Sequence, residues 1–198
     1  MNNNKLYENT SFQHILKTTE SLVLEKGCKS TTLKDIIDNS GLSKGAIYHY
    51  VSSKNELYGL ILQSKIERIN ESFNEQIKLA LDSRDTSGPF HLISKFFYEN
   101  QKSGDVGNLI FIYLLSQDDI KVKSILANIY SLSVNVGEKW IKSGQENGVI
   151  PKELDSEKFT DLLMTFSYGL RVKQIISPKD TKQLNLQDIN KLIMKALS

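Results

Sequence analysis

Ser43, Lys44, Gly45, Ala46, Tyr48 and His49 fall within seven consecutive positions. They combine small side chains with one ammonium, one phenol and one imidazole. Small residues let a backbone approach a surface closely, and the floor of a DNA major groove is such a surface. Tyr48 and His49 offer stacking or hydrogen-bonding edges, and Lys44 offers a partner for a phosphate. Catalytic patterns are absent by contrast. His14, His49 and His91 have no metal-ligand spacing, and no Walker loop, Gly-x-Ser-x-Gly or His-Glu-x-x-His occurs. The adjacent Asp118 and Asp119 read as acids favoured at a helix start. One cysteine, Cys28, excludes an internal disulfide and a cysteine-rich zinc site. Beside a lone lysine, Lys29, it reads as an ordinary loop residue rather than a redox sensor. No enzyme activity, metal or cofactor is expected.

The elements that position this set are helices. Apolar residues recur three and four apart nearly everywhere, and only three prolines interrupt them. A first helix is expected over 11–26, with Phe12, Ile15, Leu16, Thr19, Leu22 and Val23 on one face and Gly27 as its cap. Thr32 and Asp35 form a capping-box pattern opening a second helix to about 39. The segment 40–42 is a tight turn that uses Gly41 to reverse without a Cβ clash. Ser43 caps a short third helix to Tyr50. Ser53 with Glu56 opens a long fourth helix to about 81. A capped helix, a Gly-containing turn and a two-turn helix make a helix-turn-helix, packed through Leu33, Ile36, Leu42 and Ile47. Tyr50, spaced from Ile47, reads as core; Tyr48 reads as a DNA contact, and His49 equally as a contact or a solvated side chain.

The linked residues Gly27, Thr31-Thr32-Leu33, Asp35-Ile36, Gly41-Leu42-Ser43-Lys44-Gly45, Ile47-Tyr48-His49-Tyr50 and Ser53-Lys54-Asn55-Glu56-Leu57 closely resemble the DNA-binding domain of the TetR family of bacterial transcriptional repressors. The resemblance covers about a quarter of the chain. It implies a homodimer whose two recognition helices, here 43–50, enter successive major grooves of a palindromic operator about 34 Å apart. It further implies that Thr32, Ser43, Tyr48, His49 and Lys54 touch phosphates while Lys44, Gly45 and Ala46 lie near base edges. A small-molecule effector would re-space the two heads. One departure from the family pattern is electrostatic. Residues 1–60 carry seven lysines against six acids, a net of +1, and no arginine; Gln13 and His14 stand where many relatives carry arginine. Non-specific DNA affinity is therefore expected to be weak, and arginine-to-guanine readout cannot come from this segment.

The expected organisation is all-α in two parts: a helix-turn-helix domain over 1–54 and a helical effector-binding and dimerisation domain over 55–198. A polar linker is expected at 82–89. Further helices are expected over 89–102, 107–116 (apolar nearly all round, hence buried on every side), 120–146, 156–176 and 186–197. Phe97, Phe111, Tyr113, Trp140 and Phe166 are aromatic at helical spacing. Singly they read as core, but together they could enclose a partly apolar or aromatic ligand. Arg171 is an isolated cation that could meet an anionic ligand group or an ion pair at a dimer interface. The last two helices carry more apolar rows than one protomer can cover. Leu162, Phe166, Tyr168, Gly169, Val172, Ile176, Ile189 and Ile193 are therefore expected at a four-helix homodimer interface, against the alternative of an intramolecular core.

Composition narrows the rest. With 39% hydrophobic and 24% charged residues among 198, the chain fits neither a disordered tail nor a membrane protein. Its longest apolar run, 109–115, is far below a bilayer span. A polar start at Met1-Asn2-Asn3-Asn4 reads as lacking a secretory leader, so the Asn-x-Ser/Thr triplets at Asn9 and Asn70 read as coincidence and a cytoplasmic location is expected. A net charge of +2 does not announce a nucleic-acid partner, so the expectation of a duplex DNA partner rests on the motif. The competing class is a helical ligand-binding or protein-interaction adaptor that no longer reads DNA. Salt-sensitive, sequence-specific duplex binding separates the two.

Overall fold

A computed structural model describes residues 9–83, 87–99, 104–148, 150–178, 181–182 and 184–197. Among them the chain is helical throughout: α1 Thr10–Ser30, α2 Leu33–Ser40, α3 Lys44–Tyr50, α4 Lys54–Ser83, α5 Ser87–Glu99, α6 Val106–Leu115, α7 Ile120–Glu146, α8 Ser156–Ile176 and α9 Leu186–Leu197. It forms two compact units, Met1–Lys65 with Val106–Tyr130, and Ile66–Asp105 with Ser131–Ser198. The long helices α4 and α7 thus each contribute to both.

In the N-terminal unit α1 packs against α2 and α6. Its core is Phe12, Ile15, Leu16, Val23, Ile36, Ile47, Leu57, Tyr58 and Ile61; all but Tyr58 belong to the rows that the helical periodicity predicts. Gly27 interrupts α1 with φ 81 and ψ 159, so the regular helix ends where a cap is expected and one further turn follows. Gly59 allows α4 to approach α7 closely: a Cβ there would stand 2.6 Å from Ile125 Cγ2. The helix α6 departs from its expected burial on every side. Ile110, Phe111 and Leu114 are buried, but Leu109 and Leu115 are exposed, because α6 packs through one flank only.

In the C-terminal unit α5 packs against α9, and the Ser94 hydroxyl donates to Asn190 Oδ1 at 2.9 Å. Phe73, Ile93, Phe97, Val136, Trp140, Phe159, Leu163 and Leu170 form the centre of its core. Gly137 of α7 lies against Thr160 of α8, with 2.8 Å between its would-be Cβ and Thr160 Cγ2. Asp155 caps α8 by accepting the Lys158 N–H. The expected linker is shorter than its polar stretch: α4 runs to Ser83 and α5 starts at Ser87, so Pro89 lies inside the first turn of a helix, where proline is tolerated. The middle of the expected linker, 84–86, and the expected helical end at 100–102 lie outside the described residues.

Candidate nucleic-acid interface

The geometry of the helix-turn-helix begins with its caps. Thr32 precedes α2 in extended conformation; its hydroxyl accepts the Asp35 N–H at 3.1 Å, and Asp35 Oδ2 accepts the Thr32 N–H at 2.7 Å. The Asp35 carboxylate also takes the Thr32 hydroxyl proton at 2.6 Å and pairs with the Lys26 ammonium at 2.8 Å. Lys26 first, then the two Thr32 donors, hold this carboxyl well below the usual carboxylate range. Gly41 ends α2 in the left-handed region at φ 65, as a tight reversal requires. Ser40 Oγ accepts the Leu42 N–H, and the His14 Nε2–H donates to the Ser40 carbonyl at 3.1 Å. The turn is therefore tied to α1 by a side chain 26 residues away.

The recognition helix α3 is capped by Ser43, whose Oγ accepts the Ala46 N–H at 3.2 Å. Ile47 is fully buried, and Tyr50 lies on Phe12 with ring centroids 5.1 Å apart. These two side chains set the helix on the body. On the other side Ser43, Lys44, Gly45, Tyr48 and His49 are exposed and Ala46 is half-buried. The Lys44 ammonium sits 5.6 Å from the Tyr48 ring centroid, and the His49 ring meets Tyr50 edge-on. Exposed small residues at the helix start, with a cation and two hydrogen-bonding rings beyond them, can enter a groove and meet phosphates or base edges.

Two of the sequence-predicted contacts have their protons engaged inside the chain. The Thr32 hydroxyl donates to Asp35, as described. The Lys54 ammonium donates to the carbonyls of Cys28, Lys29 and Thr31 at 3.0, 3.1 and 2.9 Å. The Tyr58 hydroxyl joins it on the Cys28 carbonyl at 3.0 Å, and burial pushes that phenol's pKa up. Tyr113 stands edge-on to Tyr58, with its ring centroid 5.2 Å from the Lys54 ammonium. The Cys28 thiol is buried, which raises its pKa against the lowering effect of Lys54. The expected Ser53–Glu56 capping box is half formed. Ser53 Oγ accepts the Glu56 N–H, but the Glu56 carboxylate takes the N–H and hydroxyl of Ser52 instead. No local pattern in the sequence marks the exposed His14 as an anchor, or Tyr58 as a partner of the Cys28 carbonyl.

The candidate effector residues divide between the units. Phe111 and Tyr113 belong to the N-terminal unit; Phe97, Trp140, Phe166 and Arg171 belong to the C-terminal one. In the latter, Phe97 and Phe166 meet edge-on at 5.5 Å, while Trp140 stacks on Phe73 at 4.5 Å and donates to Asn70 Oδ1 at 3.0 Å. A cavity of about 30 Å³ beside Trp140 is lined by Phe96, Ser133, Val136, Gly137 and Met164, with Ile66 and Ile69. Burial lowers the Arg171 pKa, opposed by Asp105. Of the residues expected at a dimer interface, Leu162, Gly169, Val172 and Ile176 are exposed and Phe166 and Tyr168 half-buried. Ile189 and Ile193 are a correction: both are buried in the core of their own unit, because this row of α9 is covered within the protomer. Among the described residues no group of His, Cys, Asp and Glu could hold a metal, and no helix is long and apolar enough to cross a membrane.

Residues 15–61 match the model of the bacterial regulatory proteins of the tetR family. The HTH-type transcriptional repressor KstR2 of Rhodococcus jostii is 26% identical over 151 residues, covering 72% of this chain and 69% of that protein. The repressor DhaR of a Mycobacterium species is 25% identical over 168 residues, 81% of each. Among solved structures, the fatty acid degradation regulator FadR of Bacillus halodurans superposes with a TM-score of 0.68 at 16% identity, over 94% of this chain and 97% of that one. FadR of Bacillus subtilis, solved in complex with stearoyl-CoA, gives 0.65 at 18% identity over the same shares. These two likenesses are of fold.

Proposed function

We propose that this chain, which belongs to the TetR family of bacterial transcriptional regulators by its N-terminal domain, represses transcription by holding a palindromic operator as a homodimer and lets go on binding a small molecule. The similar proteins KstR2 and DhaR are transcriptional repressors. The observation that carries the reading is the exposed side of α3: Ser43, Lys44, Gly45, Tyr48 and His49 face outward on a helix fixed by Ile47, Tyr50 and the Ser43 cap. In this reading residues 1–54 read DNA and 55–198 dimerise and take the effector. Lys44, Gly45 and Ala46 approach base edges while Ser43, Tyr48 and His49 meet phosphates. A bound dimer excludes polymerase from the promoter.

Dimerisation is supported by an unpartnered stripe. Leu162, Thr165, Gly169, Val172 and Ile176 recur three and four apart on α8, and all are exposed. This is the pattern of a helix seam that a second copy covers. For the effector, the aromatic surroundings of Trp140, Phe97 and Phe166 favour an apolar or aromatic molecule, and the stearoyl-CoA complex of a protein of the same fold supports a ligand role. An effector that favours the disengaged state by about 1.4 kcal/mol weakens operator binding tenfold.

The test is selection of duplexes from a random library by the purified protein, with dimer mass measured alongside. A palindrome with half-site centres one helical turn, or a small multiple, apart is the expected result. Failure of a folded dimer to recover any consensus, even after ligand is stripped by refolding, would leave the helical adaptor as the function.

A further inference from the structure

We infer that Lys54 is a positioning residue of the DNA-reading head, an internal clamp on the turn at 28–31 rather than a partner for an operator phosphate. An ammonium has three protons and no acceptor. All three are placed here, on the carbonyls of Cys28, Lys29 and Thr31 within 2.9–3.1 Å. Lys54 opens α4, and a cation at a helix N-terminus is disfavoured by the helix dipole. Two of these carbonyls, those of Cys28 and Lys29, lie in the last turn of α1, whose carbonyls have no partner within the helix and where partial negative charge collects; the third belongs to Thr31, the residue that caps it. The two helix ends therefore compensate each other through one side chain. The Tyr58 hydroxyl on the same Cys28 carbonyl, and the Tyr113 ring 5.2 Å from the ammonium, close the arrangement. To bind a phosphate Lys54 would have to abandon these carbonyls.

What the clamp positions follows from the chain path. Directly after the clamped carbonyls comes Thr32, the N-cap of α2, and α2 leads through Gly41 into α3. Thr31 is fully buried, and its hydroxyl donates to the Gly27 carbonyl at 2.9 Å. A displacement of the turn at 28–31 tilts α2 and therefore changes how α3 meets a groove. A phosphate contact and a clamp leave different signatures. Removing a phosphate contact weakens binding to all sequences and lowers the dependence of log affinity on log salt by about 0.9. Removing a clamp spares the salt slope and non-specific binding, but lowers the ratio of specific to non-specific affinity. A role in stability alone moves none of these below the melting temperature.

The inference rests on the DNA-reading function, and its test separates the two. Lys54→Met and Lys54→Arg are compared with wild type and Lys44→Met on the operator recovered by selection and on a mixed-sequence duplex of equal length. Both Lys54 variants are expected to lose about tenfold in the specific-to-non-specific ratio at wild-type salt slope. A planar guanidinium cannot converge on three carbonyls as an ammonium does. Lys44→Met, which removes a cation that α3 carries into the groove, is expected to lower the slope by about 0.9. Wild-type affinity in Lys54→Arg, or an unchanged ratio in folded Lys54→Met, overturns the clamp. Nitrogen-15 NMR of the lysine ammonium groups of the unmodified protein needs no variant to fold. A Lys54 signal protected from exchange without DNA is expected, and one protected only after duplex is added overturns the inference. Absence of sequence preference in the wild type defeats the DNA-reading function, while the ammonium signal still reports on the clamp.

Discussion

The Lys44 ammonium lies 5.6 Å from the centroid of the Tyr48 ring, one turn along the exposed side of α3. The cation is held over an aromatic surface without surrendering its protons to another residue of that helix. Tyr48, 48% exposed, thus both presents its own hydroxyl and steadies Lys44. Replacing Tyr48 with Ala is expected to weaken operator binding about tenfold or more, the scale of one lost directional contact, while the dimer persists. Fluorescence anisotropy on the selected operator checks this, and unchanged affinity would remove Tyr48 from the interface.

Close approach of α4 to α7 depends on Gly59. A methyl group at this position meets Ile125 Cγ2, a methyl on the branched Cβ whose stiff χ1 keeps it from swinging away. Overpacking of this kind costs about 1–3 kcal/mol, against about 1 kcal/mol regained in helix propensity. Gly59→Ala is therefore expected to destabilise the protein by about 1 kcal/mol in urea unfolding, and Ile125→Ala in the same chain to relieve part of the effect. A stabilised Gly59→Ala protein contradicts the close approach.

The α8 stripe makes an opposite prediction about glycine. Outside its own helix, no described residue lies within 4 Å of a Cβ added at Gly169, so Gly169→Trp leaves the protomer's backbone unstrained there and is expected to block a second helix from approaching. Together with Val172→Glu it is expected to give a folded monomer in sedimentation velocity. A dimer that survives both changes uses another surface.

Acid sensitivity of the α2 cap follows from Asp35. Lys26 first, then the Thr32 hydroxyl and N–H, depress its pKa. A carboxyl depressed in the folded state contributes stability that is present above its unfolded value, about 3.9, and is lost as pH falls through the folded value. Asp35→Asn is expected to be less stable than wild type at neutral pH, with the difference shrinking below about pH 4. A difference constant from pH 7 to 3 in denaturant titrations would refute the assignment.

For the effector, Trp140→Phe keeps an aromatic ring against Phe73 but removes the donor to Asn70. It is expected to bind the operator as wild type does and to need a higher concentration of inducer for release. Gel-shift titration with the inducer measures this; an unaltered response places the ligand elsewhere.

Most helices and the turn of the reading head were legible because their signals are local. Thr32 with Asp35, Gly41 and Ser43 act on neighbours within three residues, so their types and spacing state their roles. Contacts over long separations were not legible. Lys54, Tyr58 and His14 all end on backbone carbonyls, which every residue owns and no residue type announces. Adjacent Ser52 and Ser53 were indistinguishable as partners for Glu56 until the backbone chose between them. The same holds for apolar rows: Ile189 and Leu192 are alike in type, yet the first is buried in the core and the second exposed. Periodicity shows that a helix has a buried side but leaves open which neighbour covers it.

Trp140 is the single tryptophan of the chain, and it lies with Phe73 in the C-terminal unit. Tyr48, Tyr50, Tyr58 and Tyr113 all lie in the N-terminal one. Excitation at the red edge of the ultraviolet absorption, where tyrosine is silent, therefore makes the C-terminal unit glow alone. Its emission during unfolding follows the loss of one core, while operator binding at the same denaturant concentration follows the integrity of the reading head. Coincident midpoints would mean that the two units melt together, and separated ones that each carries its own stability.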